Sequence, residues 1–259
     1  MRFELLGPLR VCADDGEPFR LSAPKVEITL ALLLLNEGRV VTKEQLTAEL
    51  WGDRPPRSAP TAIHVYISQL RKFLAQAGEA GREAITTAVS GYRFQRRADG
   101  YDVADFTAAV QLGRDRMAAG RAAAALEVLE PALAMMRGPV LDGHGDGPVL
   151  SAFAGWAEEE RLTCLELVIE ARTQLGQHRE VVSLLHGLIA EHPLRESFYR
   201  QLMLVLYRAE RRADALEVYR SARRVLRSEL GLEPHRALRQ LHQAILSADR
   251  LLDLGQVAS

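Results

Sequence analysis

Residues 61–76 read TAIHVYISQLRKFLAQ, and this stretch decides the fold that we predict for the N-terminal half of the chain. On a helix that turns about 100° per residue, its aliphatic side chains fall within one narrow stripe, formed by Ile63, Ile67, Leu70 and Leu74. The opposite face carries small and hydrogen-bonding residues and few acids. The pattern predicts a helix with one side in a core and the other side available to a partner.

The segments before this helix predict a small unit of strands and helices. Short strands are expected at 2–11, with a break at Gly7-Pro8, and at 18–21, with a turn at 14–16 between them. A strongly apolar helix is expected at 24–36. Thr42 and Gln45 have the spacing of a capping box, which predicts the start of a second helix.

The segments around the third helix complete this unit. Three prolines mark a loop at 53–60, directly before the helix. Two short strands, at 85–89 and 92–95, are expected to form a hairpin that turns at Ser90-Gly91. The order of elements is that of a winged helix-turn-helix, which we place at 1–97.

The C-terminal half has a different pattern, in which strand signals vanish and helical repeats appear. The motif ALEV occurs at 125–128 and again at 215–218, and Val181 precedes Ala215 by the 34 residues of a tetratricopeptide repeat. We therefore predict a mainly α protein with a small β part. The winged helix-turn-helix is followed by an all-α tetratricopeptide-like helical-repeat domain at 98–259.

Charge is unevenly distributed between these halves. Residues 1–97 have a net charge of +3 and the remainder has −4, and 54–97 alone contain eight basic and two acidic residues. A basic half joined to an acidic half fits a module that binds a polyanion beside a module that binds other proteins.

Composition and motifs set further bounds. No stretch approaches the roughly 18 apolar residues of a membrane span, and no secretion signal is evident, so we expect a cytoplasmic protein with no membrane partner. Cys12 and Cys164 are expected to be reduced thiols. No nucleophile and base pattern or phosphate-binding glycine motif stands out, and 142–147 is interpreted as a connector. We expect no catalytic residues, no metal and no cofactor.

The exposed face of the third helix suits the major groove of double-stranded DNA. Gln69 can pair with adenine, Ser68 can bond either base type and Val65 can touch a thymine methyl group, with Thr61 on the same face. Four cations are placed to meet phosphates, two on the helix and two in the preceding loop: Arg71, Lys72, Arg54 and Arg57.

The first 96 residues resemble an OmpR/PhoB-type winged helix, through LALLLL at 30–35, LW at 50–51, IHVYISQLRK at 63–72 and GYRF at 91–94. The resemblance implies that the third helix enters the major groove and that the hairpin, the wing, reaches the minor groove. By position it implies base contacts by Gln69 and His64, and phosphate contacts by Arg71, Tyr66 and Arg93.

Two departures from the family pattern bear on these contacts. Gln69 stands where an Arg is often found, which argues against guanine recognition by that residue. Ala88 occupies a wing position that is often Arg, which weakens minor-groove recognition or moves it to Arg96 or Arg97.

Residues 98–248 resemble the bacterial transcriptional activation domain of the Streptomyces antibiotic regulatory protein family. The matching stretches are AEHPLRE at 190–196, LMLVLYR at 202–208, ADALEVYR at 213–220 and ELGLEP at 229–234. The family implies an activator of secondary-metabolite genes that binds direct repeats near a promoter. It also implies contact with RNA polymerase, for which we expect the sigma or alpha subunit. From the helical half we further expect that two copies can form a homodimer on DNA.

Two other classes of function stay open at this point. One is a helical-repeat scaffold that does not bind DNA, and the other is a regulator gated by a small molecule. An enzyme ranks behind both, since spatial constellations can escape sequence analysis but none is indicated.

Overall fold

The computed structural model describes residues 1–12, 18–19, 21, 23–76, 81, 83–95 and 100–248. The chain divides into two compact units. The first comprises Met1–Ala109 with Pro131–Leu162, and the second comprises Val110–Glu130 with Thr163–Ser259. A boundary between independently folding domains at residue 97 stays a prediction.

The first unit opens with a four-stranded sheet. Its strands are β1 (Arg2–Glu4), β2 (Arg10–Cys12) and β3 (Pro18–Phe19), which run antiparallel, and β7 (Gly100–Tyr101), which lies parallel to β1. Phe3 pairs with Val11, and both are buried. The break predicted at Gly7-Pro8 separates β1 from β2, and the predicted turn at 14–16 lies outside the described residues.

Three helices form the centre of this unit: α1 (Pro24–Leu35), α2 (Lys43–Trp51) and α3 (Ala59–Ala75). The capping box predicted for α2 is confirmed, because the Gln45 amide donates to Thr42 Oγ1 at 3.2 Å and the Thr42 amide donates to Gln45 Oε1 at 2.8 Å. Helix α3 begins two residues earlier than predicted, with Pro60 in its first turn, where proline loses no helical hydrogen bond.

The wing hairpin consists of β5 (Ile85–Thr87) and β6 (Gly91–Phe94), and β4 (Val40–Thr42) pairs with β6 to complete a three-stranded sheet. The predicted hairpin is confirmed, whereas β4, which lies directly before α2, was not predicted. Gly91 lies opposite Thr42, and a Cβ there would collide with the carbonyl oxygen of Val41. Glycine is therefore required for β4 and β6 to pair.

Two buried carboxylates hold later parts of the chain within the first unit. Glu49 of α2 accepts hydrogen bonds from the amides of Val149 at 3.0 Å and Leu150 at 2.9 Å, which cap the first turn of a helix that begins at Pro148. A Cβ on Gly147 would collide with the Glu49 carboxyl group. This helix start is therefore built around one glutamate and one glycine.

The second carboxylate, Asp102, is 2% exposed and accepts hydrogen bonds from the amides of Leu5 and Leu6 at 2.8 and 2.9 Å. Burial raises the pKa of Asp102, while these two amides and the Arg137 guanidinium, 3.6 Å away, act in the opposite direction. Asp102 thereby ties the end of β1 to the helix that Asp102 begins.

The remaining helices are α4 (Asp102–Ala118), α5 (Ala122–Met135), α6 (Pro148–Gln174), α7 (His178–Glu191), α8 (Glu196–Arg208), α9 (Arg212–Leu230) and α10 (Arg236–Ser247), with a 3-10 turn at Val140–Gly143. Helices α4, α5 and α6 contribute residues to both units. None of the helices in the described part of the chain is both long enough and apolar enough to cross a membrane.

The second unit confirms the helical repeat. Ala125, Val181 and Ala215 are each the fourth residue of a helix that follows a tight turn, and each is fully buried. The three turns share one backbone geometry, with a left-handed residue at Gly120 (φ 69°), Gly176 (φ 76°) and Glu210 (φ 60°). The same turn thus recurs with glycine twice and glutamate once.

This geometry predicts opposite effects of two substitutions. A side chain in the left-handed region costs about 1–2 kcal/mol, partly offset by the greater freedom of glycine in the unfolded chain. Glu210→Gly should raise the free energy of unfolding by up to about 1 kcal/mol, and Gly176→Ala should lower it by about 1 kcal/mol. Urea unfolding measures both, with Glu210→Ala as a control close to wild type. A Glu210→Gly variant that is less stable than the wild type would show that the left-handed backbone at Glu210 is not strained.

A second prediction concerns the cap on α6. Glu49→Gln keeps the side-chain shape but places an NH₂ group against backbone amides, so it should lower the free energy of unfolding by about 1–3 kcal/mol. Amide exchange at Leu150 should accelerate in this variant. Glu229→Gln, at an exposed position of the second unit, is the control. Unchanged exchange at Leu150 would show that the cap contributes nothing.

Candidate nucleic-acid interface

Helix α3 buries the predicted stripe and exposes the predicted face. Ile63, Ile67, Leu70 and Leu74 are buried in the core of the first unit. The residues exposed on the other side are Thr61, Val65, Ser68, Gln69 and Lys72, with Val65 46% exposed. The structure therefore brings together on one surface all five residues that the sequence placed there.

One flank of α3 is fastened to the wing by two side chains that lie two turns apart. His64 Nδ1 is 2.8 Å from the hydroxyl of Tyr92 on β6. Arg71 donates from Nε and Nη2 to the carbonyl oxygen of Ile85 at 3.2 and 3.1 Å, and from Nη2 to Thr87 Oγ1 at 2.9 Å. Arg71 is thus engaged with the wing, and its contact with phosphate stays a prediction.

The other flank rests on the end of α2. Tyr66 stacks on Trp51 with ring centroids 6.3 Å apart and an angle of 28° between the planes. Lys25 Nζ lies 4.5 Å from the Trp51 ring and donates to the Leu50 carbonyl oxygen at 3.2 Å. Burial lowers the pKa of Lys25. The sequence assigned no role to Trp51 beyond the LW match at 50–51, and Lys25 was not identified, since nothing in its local pattern marks it.

The remaining predicted cations differ in how accessible they are. Arg54 and Arg57 are exposed in the loop before α3. Arg93 on β6 is half-buried, and its Nε has no hydrogen-bond partner among the described residues. Arg96 and Arg97 lie outside the described residues, so their predicted part in minor-groove recognition stays a prediction.

The tip of the wing is uncharged. Its residues 86–90 read TTAVS, and Val89 is fully exposed. Below the tip, burial raises the pKa of the Tyr92 phenol, while the charge of Arg71 acts in the opposite direction. Tyr92 therefore remains a neutral hydroxyl group next to His64.

Two protein families match the chain, and together they cover most of it. "Transcriptional regulatory protein, C terminal" matches residues 16–94, and "Bacterial transcriptional activator domain" matches residues 101–246. The regulatory protein DnrI of Streptomyces peucetius is 33% identical over 258 residues, which are 98% of this chain and 94% of that protein. The chain belongs to the Streptomyces antibiotic regulatory protein family. Family members with these two domains are transcriptional regulators.

A mycobacterial relative of this family member has a solved structure. The transcriptional regulatory protein EmbR of Mycobacterium tuberculosis is 36% identical over 244 residues, and the match covers 94% of this chain and 63% of EmbR. The structure of EmbR in complex with a low-affinity phosphopeptide superposes with a TM-score of 0.90 at 35% identity, over 98% of this chain and 68% of EmbR. The chain thus spans somewhat less than two thirds of the full EmbR sequence.

Because the Arg71 guanidinium donates to both Ile85 and Thr87, replacing it with Lys, which keeps the charge, or with Gln, which removes it, should have the same effect on stability. Arg71→Lys keeps the charge but cannot donate to both Ile85 and Thr87, so the free energy of unfolding should fall by about 1 kcal/mol, as for Arg71→Gln. Amide exchange in β5 should also accelerate. Lys72→Gln, one residue along the helix and exposed, should leave both unchanged. Wild-type exchange in Arg71→Lys would show that only the charge matters.

Proposed function

We propose that this chain is a sequence-specific DNA-binding transcriptional activator of a secondary-metabolite (antibiotic) biosynthetic gene cluster. One observation carries the proposal: α3 is fastened on both flanks and presents an exposed face without acidic residues, formed by Thr61, Val65, Ser68, Gln69 and Lys72. A helix held in this way can enter the major groove with its side chains already oriented. The regulators DnrI and EmbR, which the chain resembles over nearly its whole length, support this function.

The chemistry of the exposed face determines which bases it reads. Gln69 can donate to and accept from the edge of adenine, and Ser68 can bond either base type. Val65 and Thr61 offer methyl groups to a thymine methyl group. We propose that these four side chains provide direct sequence recognition.

Cations around this face would bind the DNA backbone. Lys72 is exposed on α3, and Arg54 and Arg57 are exposed where the helix begins. We assign phosphate contacts to these three side chains, and to Tyr66 and Arg93 beside them. Because each phosphate contact releases counterions, affinity should fall steeply as salt rises.

The helical-repeat half would provide the surface for other proteins. We propose that it contacts the sigma or alpha subunit of RNA polymerase, and that two copies occupy direct repeats as a homodimer. Stacked helix pairs offer extended surfaces that suit such partners. Half-sites on one face of DNA would lie about 10–10.5 base pairs apart, or a multiple of this.

The test of DNA recognition compares two neighbouring substitutions in the full chain. Gln69→Ala should change the difference in binding free energy between bases at one operator position by about 1–3 kcal/mol. Lys72→Ala should weaken binding to every sequence and lower the slope of log affinity against log salt by about 1. Footprints and gel shifts on promoters near the gene measure both. Gln240→Ala, exposed on α10, is the matched control.

The result also separates the proposed function from its alternatives. A wild-type footprint for Gln69→Ala would mean that α3 is docked differently. No binding to any promoter fragment would favour a scaffold that does not bind DNA. Transcription with purified RNA polymerase then tests activation, which should require the same promoter fragments that the chain protects.

A further inference from the structure

The hydroxyl of Tyr92 has one hydrogen-bond partner in the described part of the chain, and that partner is a predicted base contact. Tyr92 is 2% exposed on β6, and its hydroxyl lies 2.8 Å from Nδ1 of His64. The two rings meet edge to face, with centroids 6.2 Å apart and an angle of 84°. This contact restricts which ring nitrogen of His64 can carry hydrogen.

The donors and acceptors of Tyr92 and His64 determine which tautomer His64 adopts. A neutral imidazole has one donor and one acceptor nitrogen, whereas a phenol has one hydrogen to donate. If Nδ1 carried the hydrogen, it would donate to the phenol oxygen, and the phenol hydrogen would have no acceptor among the residues that the structure describes. If Nδ1 accepts instead, both groups are satisfied. The neutral ring therefore carries its hydrogen on Nε2.

This assignment gives His64 a defined chemistry toward DNA. His64 is exposed on α3, and its Nδ1 is occupied by the wing, so Nε2 is the ring nitrogen left for a ligand. A hydrogen on Nε2 makes it a donor. On the edges of bases in the major groove, acceptors are N7 and O6 of guanine, N7 of adenine and O4 of thymine, whereas cytosine presents only its amino donor.

We propose that Tyr92 locks His64 in the Nε2–H tautomer, so that His64 selects a base with a hydrogen-bond acceptor and rejects cytosine. Recognition of a base by His64 rests on the proposed DNA-binding function, whereas the tautomer does not. Tyr92 acts here as a positioning residue, because it sets the chemistry of His64 without meeting DNA itself. Without its hydroxyl, either nitrogen of His64 could carry the hydrogen, and the base preference should broaden.

The tautomer is tested in the full chain without DNA. Long-range proton–nitrogen NMR correlations distinguish the two neutral forms of a histidine ring, and His64→Gln assigns the signal. We expect the Nε2–H form in the wild type and a mixture of both forms in Tyr92→Phe, which keeps the buried ring. A wild-type His64 with hydrogen on Nδ1 would overturn the proposal.

Recognition is tested on the operator by removing one acceptor at a time. Purines are replaced by 7-deazapurines, guanine by 6-thioguanine and thymine by 4-thiothymine. One replacement should weaken the wild type about 5-fold, roughly the contribution of a single hydrogen bond, and should have no effect on His64→Ala. Gln69→Ala should still respond at that position, and Tyr92→Phe should respond less.

The two levels of the proposal fail in different ways. If the chain binds its operator but no replacement depends on His64, recognition by His64 is wrong while the DNA-binding function stands. If the chain binds no DNA at all, the proposed function fails together with the recognition, and the NMR result still decides the tautomer.

Discussion

Burial of the aliphatic stripe of α3 is the constraint on which the rest of the interface depends. Each fully buried Leu or Ile side chain contributes about 1.5–3 kcal/mol, so four of them fix the rotation of the helix about its axis. Rotating the helix about its axis by one residue position would bring Ser68 or Gln69 into the core without hydrogen-bond partners, which is costly. Once the stripe is buried, the identity of the outward face follows without further choice.

Burial of the stripe does not hold the two flanks of the helix in place. Separate contacts on each flank do this. Arg71 and His64 bind the wing on one side, and Tyr66 rests on Trp51 on the other. Arg71, His64 and Tyr66 were each predicted to contact DNA, and each also contacts another part of the first unit. Arg71 shows the difference: the sequence predicted only a phosphate contact, whereas its guanidinium is held by Ile85 and Thr87.

The sequence predicted what depends on local periodicity and missed what depends on distant pairs. The capping box, the stripe and the hairpin are encoded within a few residues, and all three are present in the structure. The partnership of His64 with Tyr92 spans 28 positions, and that of Glu49 with Leu150 spans 101. No periodicity connects such residues. For the same reason, no local pattern predicted that 131–162 belong to the same compact unit as the winged helix.

The uncharged tip of the wing has a consequence for how a regulator of this kind would search a genome. Positive side chains on a wing strengthen attachment to any duplex, and therefore also to the vast excess of irrelevant sites. If the wing and α3 bind DNA as proposed, the uncharged TTAVS at 86–90 would reduce that background attachment without changing the discrimination by α3. Each copy would then bind its own site more weakly. Binding of several copies side by side would compensate for this. Contacts between neighbouring copies would raise occupancy of the operator without raising affinity for unrelated DNA.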